Sequence, residues 1–203
     1  MEKFNIVYID DQIDSGLSRY FDQKTYESEI QEAEFQYYEL KYNPGDGYLK
    51  LIQEKVVQEA NIIFVDSKLF SDNDVIEQKI SGEELKVILR KFYPYIEVIV
   101  ITQNGENEDL GTIAKYSAST NSDMTAQAYY ASCIPVHIKN AVHNILQFRR
   151  LADILGKSQS WEKAMKEKVQ NALEGIAQYD SLTADDITNL ISIFREIQEK
   201  IDE

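Results

Sequence analysis

The stretch Asn61-Ile62-Ile63-Phe64-Val65-Asp66 constrains the chain most. Four β-branched or aromatic residues run straight into one acid. The run is short and lacks the polar–apolar alternation of a half-solvated strand, so it predicts a central strand buried on both faces. A carboxylate directly after such a strand stands at its carboxyl end, the edge where open α/β sheets place their ligands. Two other runs end in the same manner. Phe4-Asn5-Ile6-Val7-Tyr8-Ile9 leads into Asp10-Asp11, and Ile96-Glu97-Val98-Ile99-Val100-Ile101 leads into Thr102. If these strands are parallel neighbours, three carboxylates and a hydroxyl converge at one sheet edge.

Between the runs, helical spacing recurs. Ile13, Leu17, Tyr20 and Phe21 predict a first helix, and Leu49, Ile52, Val56 and Val57 a second over 48–60. Phe35 to Tyr42 reads as an aromatic strand, closed by the breaker cluster Asn43-Pro44-Gly45-Asp46-Gly47. Ser81 caps a helix from Gly82 to Phe92 that Pro94 closes. Residues 67–80 read as a polar loop, and 103–132 as an illegible stretch with a turn at Asn104-Gly105 and a possible helix over Leu110 to Tyr116. Cys133 to Ile138 predicts the fifth strand, reaching Lys139, and helix follows from Ala141 onward. Alternating β and α units favour a parallel sheet with helices on both faces.

The formal charge of −14 over 203 residues argues against nucleic acid and against an anionic membrane surface, both of which need clustered Lys and Arg. The acidic excess lies in residues 1–140, net −11, the part that holds the expected site. One cysteine, Cys133, forbids an internal disulfide and fits a reducing compartment; it reads as a structural thiol. No apolar run reaches the length of a spanning helix, and the amino terminus enters a strand directly, so the expectation is a cytoplasmic protein without a signal peptide.

The set Ile6-Val7-Tyr8-Ile9-Asp10-Asp11, Ile62-Ile63-Phe64-Val65-Asp66, Ile99-Val100-Ile101-Thr102 and Ile138-Lys139 resembles the receiver domain of two-component response regulators, over about residues 3–150. The resemblance implies a flavodoxin-like, doubly wound α/β fold with five parallel strands in the order 2-1-3-4-5. It implies Asp66 as phosphoacceptor and Mg2+ as cofactor, held by Asp11, Asp66 and the backbone carbonyl of Lys68, with Asp10 acting largely through water. It assigns Lys139 as the second positive charge on the phosphoryl group and Thr102 as its hydrogen-bond donor. The implied partner is a sensor histidine kinase or a phosphotransfer protein. The chemistry agrees independently: a carboxylate can attack phosphorus, and crowded acids need a hard cation with oxygen ligands.

The chain departs from the family at two positions counted from Lys139. Asn140 stands where proline is usual, and Val136 where an aromatic switch residue is usual. The 36 positions from Asp66 to Thr102 and the 37 from Thr102 to Lys139 are long. Two domains are expected: a receiver-like unit over 1–150 and a helical extension over 151–203. The extension lacks a basic recognition helix. Its stripe of Trp161, Met165, Val169, Leu173 and Ile176, then Ile187, Leu190, Ile191, Phe194 and Ile197, fits a hairpin against the sheet domain, or a homodimer or a partner's helices packed through near-heptad seams. The function expected is signalling through protein–protein contact, not an enzyme. The alternatives are a pseudo-receiver acting as a constitutive interaction module and a metal-dependent phosphohydrolase. The latter lacks a second acid two residues after the first: Lys68 follows Asp66 and Gln12 follows Asp10 at that offset.

Overall fold

A computed structural model describes residues 1–30, 33–69, 80–103 and 112–157. In chain order it contains β1 (Glu2–Asp10), α1 (Ser15–Gln23), β2 (Ala33–Lys41), α2 (Gly47–Gln53), α3 (Lys55–Gln58), β3 (Ile62–Asp66), α4 (Gly82–Phe92), β4 (Glu97–Thr102), β5 (Thr112–Ala114) and α5 (Ala126–Lys157). The five strands form one parallel sheet in the order β2-β1-β3-β4-β5. This is the doubly wound α/β fold with helices on both faces.

The strand periodicity of two divides each apolar run between two cores. Phe4, Ile6 and Tyr8 of β1, Ile62 and Phe64 of β3, and Ile99 and Ile101 of β4 pack with Leu17, Tyr20 and Phe21 of α1 and Tyr130, Ile134 and Ile138 of α5. Val7 and Ile9, Ile63 and Val65, and Val98 and Val100 pack with Leu51, Val57, Leu85 and Leu89 on the other face. The whole of β3 is buried, as its lack of alternation predicts. Phe64 lies with its ring centroid 4.9 Å from that of Phe21, and burying such a ring contributes about 1.5–3 kcal/mol.

The helix ends follow local chemistry. Asp14 caps α1 by accepting from the backbone N–H groups of Gly16 and Leu17. Ser81 and Glu84 form a reciprocal capping box at the start of α4, while Arg90 and Lys91 occupy its last turn, where positive charge complements the helix dipole. The single helix expected over 48–60 is broken into α2 and α3, because Glu54 is extended.

The carboxy-terminal part of the sheet differs from expectation. Cys133 to Ile138 is not a strand but the third and fourth turns of α5, and Leu110 to Tyr116 contains not a helix but β5. Tyr130, Ile134, Ile138, Ala141, Val142 and Ile145 are buried at helical spacing, so the apolar run belongs to a longer stripe that starts before Cys133. Pro135 removes one helix hydrogen bond, which costs about 3 kcal/mol, but it sits inside that stripe without ending the helix.

The boundary expected between residues 150 and 151 falls inside α5, which continues to Lys157. The expected helices over 161–177 and 183–201, most of the 67–80 loop and the Asn104-Gly105 turn lie outside the described residues. Among the described residues, no helix is long and apolar enough to cross a membrane.

Candidate functional site

The carboxyl ends of β1, β3, β4 and β5 meet at one edge of the sheet. The pairing places Ile9 of β1 against Val65 of β3, so both strands end in acids at the same level. Asp10 is 1% exposed, Asp66 4%, and Asp11 half-buried. Carboxylate oxygens of Asp10, Asp11 and Asp66 lie within 4.8 Å of one another. They line a cleft of about 660 Å³ together with Gln12, Asp14, Ser15, Lys68, Gln103 and Lys115. The three acids and Lys68 are thus brought together as expected.

The expected lysine is not. Lys139 is on the exposed face of α5, since Cys133 to Ile138 are helical. Lys115, directly after β5, enters the cleft instead. Its ammonium donates to Asp10 Oδ2 at 2.8 Å and contacts Asp66 Oδ1 at 2.6 Å. The short β5 delivers it there. Thr102 pairs with Ala114, and the Thr102 carbonyl accepts from the Lys115 N–H at 2.7 Å. Thr102 itself is buried at the end of β4. Counted from Lys115, the residue after the lysine is Tyr116, the residue three before it is Thr112, and the separation from Thr102 is 13 positions.

The backbone shapes the acids. Asp66 Oδ2 accepts from the Lys68 N–H at 2.7 Å, and Asp10 Oδ1 accepts from the Gln12 N–H at 3.0 Å. Asp10 Oδ2 also accepts from the Tyr8 hydroxyl. Gly82 admits α4 to this edge: a Cβ there would stand 2.8 Å from the Asp66 carbonyl oxygen and from Ser67 Cα, and the Gly82 N–H donates to the Ser67 carbonyl at 2.9 Å.

Charge explains the titration. Burial raises the Asp11 pKa, and its hydrogen bond with Asp10 and the charges of Asp10 and Asp66 raise it further. Burial alone would lower the Lys115 pKa; hydrogen bonds to Asp10 and Asp66 and their charges outweigh it, so the net shift is upward. Burial first, and the neighbouring Asp10 second, push the Tyr8 phenol far up, which keeps it a neutral donor.

Among the described residues, three clustered carboxylates against the one ammonium bonded to them leave the cluster formally −2. An all-oxygen donor set with excess negative charge suits a hard divalent cation such as Mg2+. Asp11, the most exposed of the three, and Asp66 fit direct ligation.

Tyr8, Lys115 and the Asp14 cap are site residues that the sequence reading missed. Tyr8 had a signal: it lies two residues before Asp10, hence on the same strand face.

No protein-family profile matches the chain, and no curated protein matches it. Solved structures similar to it include a two component transcriptional regulator AraC from Clostridium phytofermentans ISDg. That match has 16% identity and a TM-score of 0.44, over 73% of this chain and 98% of that one. The BeF3-activated DrrB receiver domain matches at 14% identity and a TM-score of 0.36, over 70% and 99%. A CheY-like response regulator receiver domain protein from Methanospirillum hungatei JF-1 matches at 17% and 0.34, over 70% and 99%. The likeness to these proteins is one of backbone course, at identities of 14–17%.

Proposed function

We propose that the protein is a receiver-type signalling module that accepts a phosphoryl group on Asp66. One observation carries the reading: Asp10, Asp11 and Asp66 share a 4.8 Å cluster, with the Lys115 ammonium bonded to two of them. Phosphoryl transfer asks a protein for positioning and charge neutralisation, and this cluster supplies both.

In the transfer, an Asp66 carboxylate oxygen forms a bond to phosphorus. The bond from phosphorus to the donor's leaving group breaks, and that group leaves with the electron pair. The Lys68 N–H fixes which way the Asp66 carboxylate faces. Lys115 stands within reach of the oxygens that gain charge, and Thr102 ends the strand beside it. Asp11, Asp66 and the Lys68 carbonyl would hold Mg2+, with Asp10 behind them; when bound, the ion supplies the remaining positive charge.

The phosphodonor in this reading is a sensor histidine kinase or a phosphotransfer protein, and the output is a protein contact. Half-exposed Phe148, Leu151 and Ile154 toward the end of α5 support a contact surface there, a homodimer included. The protein is a phosphoacceptor rather than a turnover enzyme; repeated release of phosphate from a generic ester would reverse that reading. Incubation with acetyl phosphate and Mg2+, followed by intact mass, should give one phosphate adduct that Asp66→Asn abolishes. No adduct on the wild type would sink the proposal.

A second reading has its own support. Lys115 already bonds both Asp10 and Asp66, so the cluster is partly neutralised without a cation. Such a protein would act as a constitutive interaction module, and beryllofluoride with Mg2+ would bind without altering its shape or partner affinity.

A further inference from the structure

A closed ring of contacts runs from Lys115 away from the cluster and returns to it. The Lys115 ammonium bonds Asp10 Oδ2 at 2.8 Å. The Tyr8 hydroxyl donates to the same oxygen, and the Asp14 N–H donates to the Tyr8 hydroxyl at 3.2 Å. The Asp14 carboxylate then divides its work. Oδ1 caps α1, and Oδ2 accepts from the Tyr130 hydroxyl of α5 at 3.0 Å. Finally, the Tyr130 hydroxyl accepts from the backbone N–H of Tyr116 at 3.0 Å, and Tyr116 follows Lys115 in the chain.

Two features make this ring a device for holding Lys115. Tyr130 is 0% exposed, so its hydroxyl is walled off from solvent and serves as both donor and acceptor. β5 is three residues long and ends at Ala114, and past it the Lys115 N–H still donates to the Thr102 carbonyl at 2.7 Å. A flexible lysine stem reaches two acids only if its backbone is pinned; the Thr102 carbonyl holds the Lys115 N–H, and the Tyr130 hydroxyl holds the next one, that of Tyr116. Tyr129 strengthens the same turn through its hydroxyl, which donates to the Ala114 carbonyl at 3.0 Å. Gly16 lets the two elements approach, since a Cβ there would meet Ala126 Cβ at 2.9 Å.

We propose that Tyr130 is a positioning residue for the acid cluster: its hydroxyl couples the Asp14 cap to the turn after β5 and so holds the Lys115 ammonium on Asp10 and Asp66. The proposal rests on Lys115 as the working cation of the proposed phosphoacceptor site, but its first readout needs neither phosphate nor metal.

The test compares the full chain, metal-free, as wild type, Tyr130→Phe, Tyr20→Phe and Lys115→Met. Tyr130→Phe deletes one hydroxyl and leaves the ring; Tyr20→Phe does the same to a neighbouring buried ring outside the circuit. Lysine-ammonium proton–nitrogen spectra should show one slowly exchanging signal in the wild type, absent in Lys115→Met. Tyr130→Phe should speed its exchange by about tenfold or more, the scale of one lost hydrogen bond to a charged group, while Tyr20→Phe leaves it in place. Mg2+ titration then separates positioning from general damage. Release of the ammonium leaves the acids more negative, so Tyr130→Phe should bind Mg2+ more tightly yet accept phosphate from acetyl phosphate more slowly; a merely loosened fold weakens both. An unchanged ammonium signal in Tyr130→Phe overturns the inference, as does a wild type without a protected ammonium or an equal effect from Tyr20→Phe. Absence of a phosphate adduct, with the ammonium result as expected, overturns only the phosphoacceptor reading.

Discussion

Replacing Lys115 by methionine tests the centre of the site. The substitution keeps the stem and removes the charge. Lys115 has 11% of its side chain exposed, Asp10 1% and Asp66 6%, so surface screening does little here. At separations of 2.8 and 2.6 Å, an effective dielectric of about 20 gives roughly 6 kcal/mol of gross attraction per contact. Desolvation of three ions takes much of this back. What remains on deletion is the cost of carboxylates left buried without a partner, about 3–5 kcal/mol. That is a large share of the 5–15 kcal/mol typical of a whole domain. Urea unfolding in chelator at pH 7 should report this loss with an unchanged m-value. Lys139→Met, on the exposed face of α5, should change stability by less than about 0.5 kcal/mol. The pH dependence has a definite sign. The folded Lys115 pKa is raised, so its contribution is fully present below the unfolded value of about 10.4 and is lost only as pH rises through the folded value. The gap between wild type and Lys115→Met should therefore hold from pH 7 to about pH 10. A loss under about 1 kcal/mol, or an equal loss from Lys139→Met, would refute the electrostatic account.

Three further perturbations address the surrounding groups. Asp11→Asn should stabilise the metal-free protein at neutral pH. The folded Asp11 pKa is raised, so wild type regains stability as pH falls through the folded value toward the unfolded value of about 3.9, and the advantage of the variant should fade over that interval in thermal melts. The same variant should weaken Mg2+ binding in calorimetric titration. Tyr8→Phe removes a buried donor from Asp10 Oδ2 and an acceptor from the Asp14 N–H, which should cost about 1.5–3 kcal/mol in urea unfolding. Gly82→Ala forces a Cβ against the Asp66 carbonyl oxygen and Ser67 Cα, and should cost about 1–3 kcal/mol while lowering Mg2+ affinity, because α4 must shift away from the end of β3.

Much of this arrangement is written locally in the chain. The unbroken apolar runs of β1, β3 and β4 require burial on both faces, and the acids that follow them must emerge at one edge of a parallel sheet. Ser81 with Glu84 marks the start of α4 through atoms only three residues apart. Asp10, Asp11 and Asp66 were legible for the same reason: each is defined by the strand directly before it.

Lys115 was not legible. β5 contains one large apolar residue, Ile113, among three, and so short a strand carries no period. Its identity comes from β4, whose backbone it pairs with, and from the Thr102 carbonyl that receives the Lys115 N–H. Cys133 to Ile138 looked more like a strand because six residues cannot distinguish the two periods; only packing of Tyr130, Ile134 and Ile138 against α1 and the sheet makes it helix. The sequence by itself determined the first four strands, the order of their acids and the need for a counter-charge. The tertiary structure decided which lysine supplies it, because an ammonium and a carboxylate 105 residues apart meet only through the register of a sheet.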